Sequence, residues 1–306
     1  MFYGVDIGGS KTAFAVFDAQ GVERERSVHK TPPTTYASFI RLLAGLVNAA
    51  DSRWQTAGSV GIGFPGVLDS HGLILAPNVS AIHGRDLQGD LQHLLARAVY
   101  ADNDGHCFLL SEYHQGAAAE AELALALTLG TGVGGALLHR GRLVNSGRGG
   151  SAEFGHGGIN ATLLERHPGL PLFPCGCGLR GCLETYVSGT GLSRLYQHGG
   201  GEPLSGPAII CAWQRGEQAA SDCLSLYLDI LAAGLGNLMT QLDPDVVVLG
   251  GGLSEYAWLY RELNTRIPEY LMKNVAQAPV RAPVFGGSGG VRGAALLARR
   301  AALPFS

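Results

Sequence analysis

Charge is scarce in this 306-residue chain: 15% of its residues are Asp, Glu, Lys or Arg, and 22 basic against 25 acidic residues leave a net charge of −3. A surface without an excess of Lys and Arg does not grip nucleic acid or acidic lipid broadly, so a small-molecule partner is expected, with no nucleic acid and no membrane. The amino terminus, "MFYGVDIGGSKTAFAVFDAQG", lacks a basic region followed by a clean apolar stretch and a cleavage site, so it carries no mark of secretion. No apolar run approaches the roughly 20 residues of a membrane helix. A cytoplasmic protein is expected, and in that compartment disulfides are disfavoured and clustered cysteines more often bind metal. The G-x-x-x-x-G-K-[ST] loop is also missing, and "GTGVGG" at 130–135 leads into a strand pattern rather than a helix. A P-loop and a dinucleotide-binding fold are therefore both unsupported.

What the chain has in quantity is glycine, 46 residues, much of it in short groups such as "DIGGSK", "GIGFPG", "LGTGVGG", "GHGG", "CGCG" and "VLGGGL". Loops that bring backbone close to a ligand use residues without a Cβ. Two groups echo each other: residues 5–21 and 127–142 each read as apolar strand, glycine turn, second apolar strand and polar hairpin turn. Two related halves, each presenting a glycine turn to a shared cleft, would produce this echo. Helices are expected over about 35–51, 86–98, 105–119, 182–198, 205–214, 217–240, 255–273 and 289–302, with strands near 58–64 and 245–251. Strands alternating with helices give an α/β class. The expected boundary near residue 119 leaves a small α/β domain over 1–119, completed by helix 289–302, and a large α/β domain over 120–288.

Several stretches could carry chemistry. "DIGGSK" sets Asp6 before a turn whose backbone N–H groups can cradle phosphate oxygens. A carboxylate there repels the anion unless a divalent cation lies between, as in Mg-nucleotide chemistry; the plainer alternative is a hairpin with an aspartate at the strand end. "YADNDGHC" places Asn103 and Asp104 in a turn before a helix, one residue after Asp102. They serve there as caps, or Asp104 accepts a proton from a substrate hydroxyl that Asn103 helps hold. "SAEFGHGG" and "CLETY" add Glu153, His156 and Glu184 near the cysteines. In "PCGCGLRGC", Cys175, Cys177 and Cys182 form C-x-C-x4-C, three soft ligands for a zinc ion that takes four. His156 and His167 are both candidates for the fourth, and spacing does not choose between them. A redox role would call for C-x-x-C, which is not present.

In order, "DIGGSK", "GIGFPG", "DNDG", "LGTGVGGA", "EFGH", "CGCGLRGCLE" and "VVVLGGGLS" resemble the ROK family of repressors and sugar kinases, and the likeness runs nearly end to end. Within the family the likeness is greatest to bacterial amino-sugar kinases, through "YGVDIGGSK", "SVGIGFPG", "LDPDVVVLGGGLS" and "GGVRGAALL". The resemblance implies an actin-like ATPase fold of two ribonuclease H-like domains around a central cleft, with ATP as donor, Mg2+ as cofactor and a hexose as acceptor. It implies Asp104 as general base and Asn78, Asn103, Glu153, His156, Glu184 and, in the adjoining loop, Gly66 as sugar contacts. Gly8, Gly9, Ser10 and Lys11, with Gly130, Thr131 and Gly132, would surround the phosphates, and Asp6 would face the metal or the transferred group. Gly250, Gly251 and Gly252 would lie along the adenosine. His156 would complete the zinc site with Cys175, Cys177 and Cys182, leaving its other ring nitrogen for a sugar hydroxyl. A homodimer is expected from the same likeness and from the frequency of two-fold assemblies. The family's repressors carry a winged helix-turn-helix ahead of this first motif, which here begins at Asp6, so a kinase is expected. Glucose, N-acetylglucosamine, N-acetylmannosamine and fructose would all use much the same polar contacts. The chain departs from the family at Ala152, where Gly is usual and which implies a less tightly turned backbone, and at Ser10, where Thr is commoner.

Overall fold

The computed structural model describes residues 1–32, 35–76, 79–146 and 152–302. In chain order the elements are β1 (Phe2–Ile7), β2 (Lys11–Phe17), β3 (Glu23–Lys30), α1 (Tyr36–Trp54), β4 (Ser59–Phe64), β5 (Val67–Leu68), β6 (Ile74–Leu75), α2 (Leu87–Leu95), β7 (Val99–Asn103) and α3 (Asp104–Tyr113). They continue with β8 (Leu123–Leu129), β9 (Val133–His139), β10 (Arg142–Leu143), α4 (Ala161–Arg166), α5 (Glu184–Val187), α6 (Gly189–His198), α7 (Gly206–Gln214), α8 (Gln218–Leu242), β11 (Val246–Gly250), α9 (Ala257–Arg266), β12 (Val280–Arg281) and α10 (Gly289–Ala302). The chain forms two compact units: Met1–Ala119 with Gly141–Ser151 and Gly287–Ser306, and Glu120–Arg140 with Ala152–Gly286. Residues 141–146, expected in the second domain, group with the first unit.

The sheet of the first unit has the order β3-β2-β1-β4-β7. The first three strands are antiparallel and β4 and β7 run parallel to β1. Side chains alternate across a strand, so Tyr3, Val5 and Ile7 point to one face, where they share a core with Phe39, Leu43 and Val47 of α1. Gly4 and Asp6 point to the other face. There α10 lies directly on the sheet: a Cβ at Gly4 would fall 2.0 Å from the Val291 carbonyl oxygen, and one at Gly61 would fall 1.8 Å from that of Ala294. The helix takes this seat because Gly4 of β1 and Gly61 of β4 put no side chain beneath its middle turns.

The second unit repeats the plan. Its sheet runs β9-β8-β11-β12, with β8 and β9 an antiparallel hairpin and β11 parallel to both β8 and β12. The two glycine-turn hairpins legible in the sequence are thus β1/β2 and β8/β9. Helix α8 corrects one expectation, because its 25 residues are long and apolar enough to cross a membrane by length and composition. Most of that apolar stretch is buried: Tyr227, Leu231 and Leu235 pack with Leu125, Leu127 and Val247 in the unit's core. The helix expected over 182–198 is broken at Ser188, whose Oγ accepts from Gly191 N–H at 2.9 Å while Gly189 N–H donates to the Gly130 carbonyl at 2.7 Å. Capping plus a tertiary bond there outweighs helix continuation. Likewise α3 stops at Tyr113, two residues before Gln115 takes a left-handed φ of 67°.

The seat of α10 is testable against a neutral control. Gly61→Ala should lower stability by about 3 kcal/mol, the upper range for overpacking. Gly45→Ala, on α1 with nothing within 4 Å of the added carbon, should raise it by about 0.5–1 kcal/mol. Equal denaturation midpoints for the two variants would remove the close approach as the reason for Gly61.

Candidate functional site

Strand alternation puts Asp6 on the α10 face at the end of β1. Its carboxylate packs against Gly290 in the first turn of α10, where an added Cβ would lie 2.4 Å from Oδ2, and near Gly63 at the end of β4. Burial pushes this carboxyl up to about 6, with Arg26 pulling the other way. A divalent cation beside it would restore the ionised form, so its chemistry suits a metal-facing acid. Beyond it, the turn closes by Gly8 N–H to the Lys11 carbonyl at 2.8 Å and by Thr31 Oγ to the Gly8 carbonyl at 2.8 Å. Gly9, Ser10 and Lys11 stand exposed past that closure.

Asn103 ends β7 and Asp104 opens α3. Asn103 serves as the cap, its Oδ1 accepting from Gly105 N–H at 2.8 Å. Its Nδ2 donates to the Gly66 carbonyl at 2.8 Å, so these contacts engage one of its two donors and one of its two acceptor positions. Gly66 holds that carbonyl in place from a φ of 105°, and a Cβ there would fall 2.1 Å from the Leu75 carbonyl oxygen. Asp104 is half-exposed at the helix start, one oxygen accepting from Gly105 N–H at 2.8 Å. Sequence reasoning missed what lies behind it. Asp102 and His106, each 1% exposed, pair at 2.7 Å through Oδ1 and Nδ1, and Ser146 Oγ donates to the other Asp102 oxygen. The signal available was the spacing of four residues between Asp102 and His106 across the strand-to-helix junction. Their contact clamps the junction that carries Asp104. Asn78 lies outside the described residues.

In the second unit the β8/β9 turn, Gly130-Thr131-Gly132, closes by Gly130 N–H to the Gly132 carbonyl at 3.0 Å and is tied to α6 through Thr190 Oγ, which donates to the Thr131 carbonyl at 2.8 Å. Gly251, at φ 80°, presses on the end of β8: a Cβ would lie 2.5 Å from the Leu129 carbonyl carbon. The two glycine groups expected to hold the nucleotide, 130–132 and 250–252, therefore meet in one unit. Glu184 joins this turn to the cysteines, accepting from Val133 N–H at 2.9 Å through Oε2 while Oε1 lies 3.7 Å from Cys175 Sγ.

One ligand atom from each of His156, Cys175, Cys177 and Cys182 lies within 4.8 Å of all the others. Cys175 Sγ is 3.6 Å from His156 Nδ1, and Cys177 Sγ is 3.6 Å from Cys182 Sγ. A disulfide would need about 2.05 Å, whereas a tetrahedral zinc with bonds of about 2.3 Å spaces its sulfurs about 3.8 Å apart, so the donor set fits zinc. His167 faces Asp229 instead, at 3.2 Å. His156 turns Nδ1 to the thiols and Nε2 to Glu153, 3.8 Å away. Backbone bonds already fasten this loop to the chain leading to Glu184, with Leu183 N–H donating to the Gly157 carbonyl at 2.8 Å and Ile159 N–H to that of Gly181 at 2.9 Å.

The sequence pattern of the ROK family matches residues 2–301. The chain belongs to the ROK family. It is 42% identical over 301 residues to the N-acetyl-D-glucosamine kinase of Salmonella typhimurium, covering 97% of this chain and 99% of that one. The crystal structure of the ROK hexokinase from Thermus thermophilus superposes with a TM-score of 0.86 at 31% identity, over 98% of both chains. The ROK glucokinase from Streptomyces griseus, solved with glucose and AMPPNP, gives 0.79 at 28% identity, over 98% of this chain and 99% of that one. The two sheets of this ROK protein are accordingly the ribonuclease H-like units of the actin-like ATPase fold.

One expectation for this ROK protein is corrected beside the site. Ala152 keeps a tight left-handed turn, φ 61°, in place of the looser backbone its side chain implied, and its carbonyl would lie 1.9 Å from a Cβ at Gly135. Packing of that carbonyl on the sheet overrides the residue's own preference. A left-handed alanine costs about 1–2 kcal/mol, and the chain entropy of a glycine takes back about 0.5–1. Ala152→Gly should therefore raise stability by a net of about 0.5–1 kcal/mol, read from denaturation midpoints, and a loss of stability would show that the turn holds no strain.

Proposed function

We propose that this ROK protein transfers the γ-phosphoryl group of ATP to the 6-hydroxyl of N-acetyl-D-glucosamine, giving N-acetyl-D-glucosamine 6-phosphate. The observation that carries this reading is the 42% identity to an N-acetyl-D-glucosamine kinase over 301 residues. Within that match, Asp104 stands half-exposed at the start of a helix whose base is clamped by Asp102 and His106. Asp104 accepts the 6-hydroxyl proton as the sugar oxygen bonds to the γ-phosphorus and the bond to the bridging oxygen of ADP breaks. Asn103, Glu153, His156 and Glu184, with Asn78, hold the sugar, and Gly66 acts through the amide of Asn103. Gly8 to Lys11 and Gly130 to Gly132 surround the phosphates, and Gly250 to Gly252 lie along the adenosine. Mg2+, which Asp6 would face, would neutralise charge on the transferring phosphoryl group. Most of the acceleration comes from positioning and from that charge stabilisation.

Zinc held by His156, Cys175, Cys177 and Cys182 would be structural and would orient His156 Nε2 toward the sugar. The enzyme works in the cytoplasm as a homodimer, with sugar and ATP as its partners and neither nucleic acid nor membrane. Glucose, fructose and N-acetylmannosamine are the competing acceptors, because small apolar differences discriminate by only about 1–3 kcal/mol.

An ATP-coupled assay across the four sugars should give the highest kcat/KM with N-acetylglucosamine. A preference of about tenfold or more for glucose, equivalent to about 1.4 kcal/mol, would overturn the assignment. Asp104→Asn should lower kcat by about 10²- to 10⁴-fold and leave sugar binding by calorimetry intact. Turnover near that of the unmodified chain would instead remove Asp104 as base.

Metal removal separates the zinc role from folding. Structural zinc contributes about 10–16 kcal/mol in small peptides, but here backbone bonds and a large core also hold the loop. Stringent chelation should weaken sugar binding while far-UV circular dichroism stays native. Sugar affinity unchanged after demonstrated metal loss would sink this account.

A further inference from the structure

The first unit contains a cavity of about 370 Å³ that the kinase reading leaves unused. It is lined by Arg292, Arg299 and Arg300 of α10, His114 just after α3, and Phe2 and Phe17 of the sheet. Residues 292, 295, 296 and 299 follow the helical spacing of three and four, so two guanidiniums and the apolar Ala295 and Leu296 share one stripe of α10, and Arg300 adjoins it.

The guanidiniums are steadied by neutral groups. Arg292 donates to the carbonyls of Ser111 and His114, the latter at 2.8 Å, Arg300 donates to the carbonyl of Gly141, and Arg299 lies 5.9 Å from the centre of the Phe2 ring. Among the described residues no ion pair joins Arg299 or Arg300 to a carboxylate. Asp18 lines the same cavity but is engaged by Arg24 Nε at 2.8 Å and by the N–H groups of Gln20 and Val22. His114 Nε2 is buried and has no hydrogen-bond partner. Glu112 favours the charge of Arg292, while burial and Arg299 oppose it, and burial opposes that of Arg300. Three like charges gathered in a partly enclosed space cost free energy that an anion offsets.

We propose that this cavity is a second ligand site, which takes a phosphate-bearing small molecule: the dianion meets Arg292, Arg299 and Arg300, and an apolar body rests on Phe2, Phe17 and Leu296. Guanidinium forks match the several oxygens of a phosphate better than a single carboxylate does. His114 completes the anion's contacts. Burial and the cations Arg292, Arg299 and Arg300 hold its imidazole down to about 4, so it is neutral in the ligand-free protein. Tyr113 packs edge-on against it at 5.8 Å, and Asp18 lines the same cavity. A bound dianion stabilises the protonated ring, and the titration midpoint of His114 must rise.

The test is an NMR titration of the full chain, following the His114 imidazole, assigned by its loss in His114→Gln. Phenyl phosphate and inorganic phosphate are the two probes. Saturable shifts with an upward move of the His114 midpoint are expected for both, and tighter binding of phenyl phosphate marks a phosphomonoester as the ligand. Equal binding of the two marks free phosphate, within the same site. Arg299→Gln with Arg300→Gln should weaken either probe at least tenfold and leave turnover unchanged. A His114 signal unmoved by 10 mM of both probes, a value set at about the upper range of weak anion binding, would overturn the proposal, as would a folded double variant that binds like the unmodified chain. If the double variant does not fold, the His114 response of the unmodified protein decides.

Discussion

Backbone in contact with backbone is the constraint on which both units rest. Under α10 the sheet offers Gly4 and Gly61, and a single carbon added at either would occupy the space of a helix carbonyl. That seat fixes where the first turn of α10 meets the end of β1, and so fixes the surroundings of Asp6. The second unit applies the same rule at Gly251, which lets the end of β11 press on the end of β8 and brings the glycine turn 130–132 beside it. The high glycine content is therefore a steric requirement met at particular contacts.

Given those seats, carboxylates of the same kind acquire different work from their company. Asp102 and Asp104 are two residues apart, yet the first is buried and satisfied by His106 and Ser146 while the second stands half-exposed at a helix start. A buried, fully bonded acid holds geometry; an exposed one at the mouth of a helix can take up a proton. Glu184 lies between these extremes, with one oxygen on the glycine turn and the other toward Cys175. Through it, the metal-ligand cluster and the turn expected at the phosphates share one short helix.

Legibility followed the range of the interaction. Hairpins around glycine turns, the C-x-C-x4-C spacing and the cap at Asn103 are local, and each could be read from a few adjacent residues. The break at Ser188 was hidden because it depends on the Gly130 carbonyl, far away in sequence. The Asp102, His106 and Ser146 network was hidden for the same reason, since Ser146 lies 44 residues from Asp102. The left-handed turn at Ala152 ran against its residue type because the sheet at Gly135 holds its carbonyl. The arginine-lined cavity draws on residues from Phe2 to Arg300 and leaves no motif at all.

By itself, the sequence determined the class of chemistry: a mild charge balance, two glycine-turn hairpins, an acid before a helix, and three thiols at metal spacing. These depend on covalent connectivity and local sterics, which the order of residues carries directly. Tertiary structure decided which histidine lies against the thiols, which aspartate is buried and which half-exposed, and where three arginines gather around one cavity. Those outcomes turn on burial and on distances between residues remote in the chain. Only packing sets the desolvation and the contacts that give a carboxylate, an imidazole or a guanidinium its role.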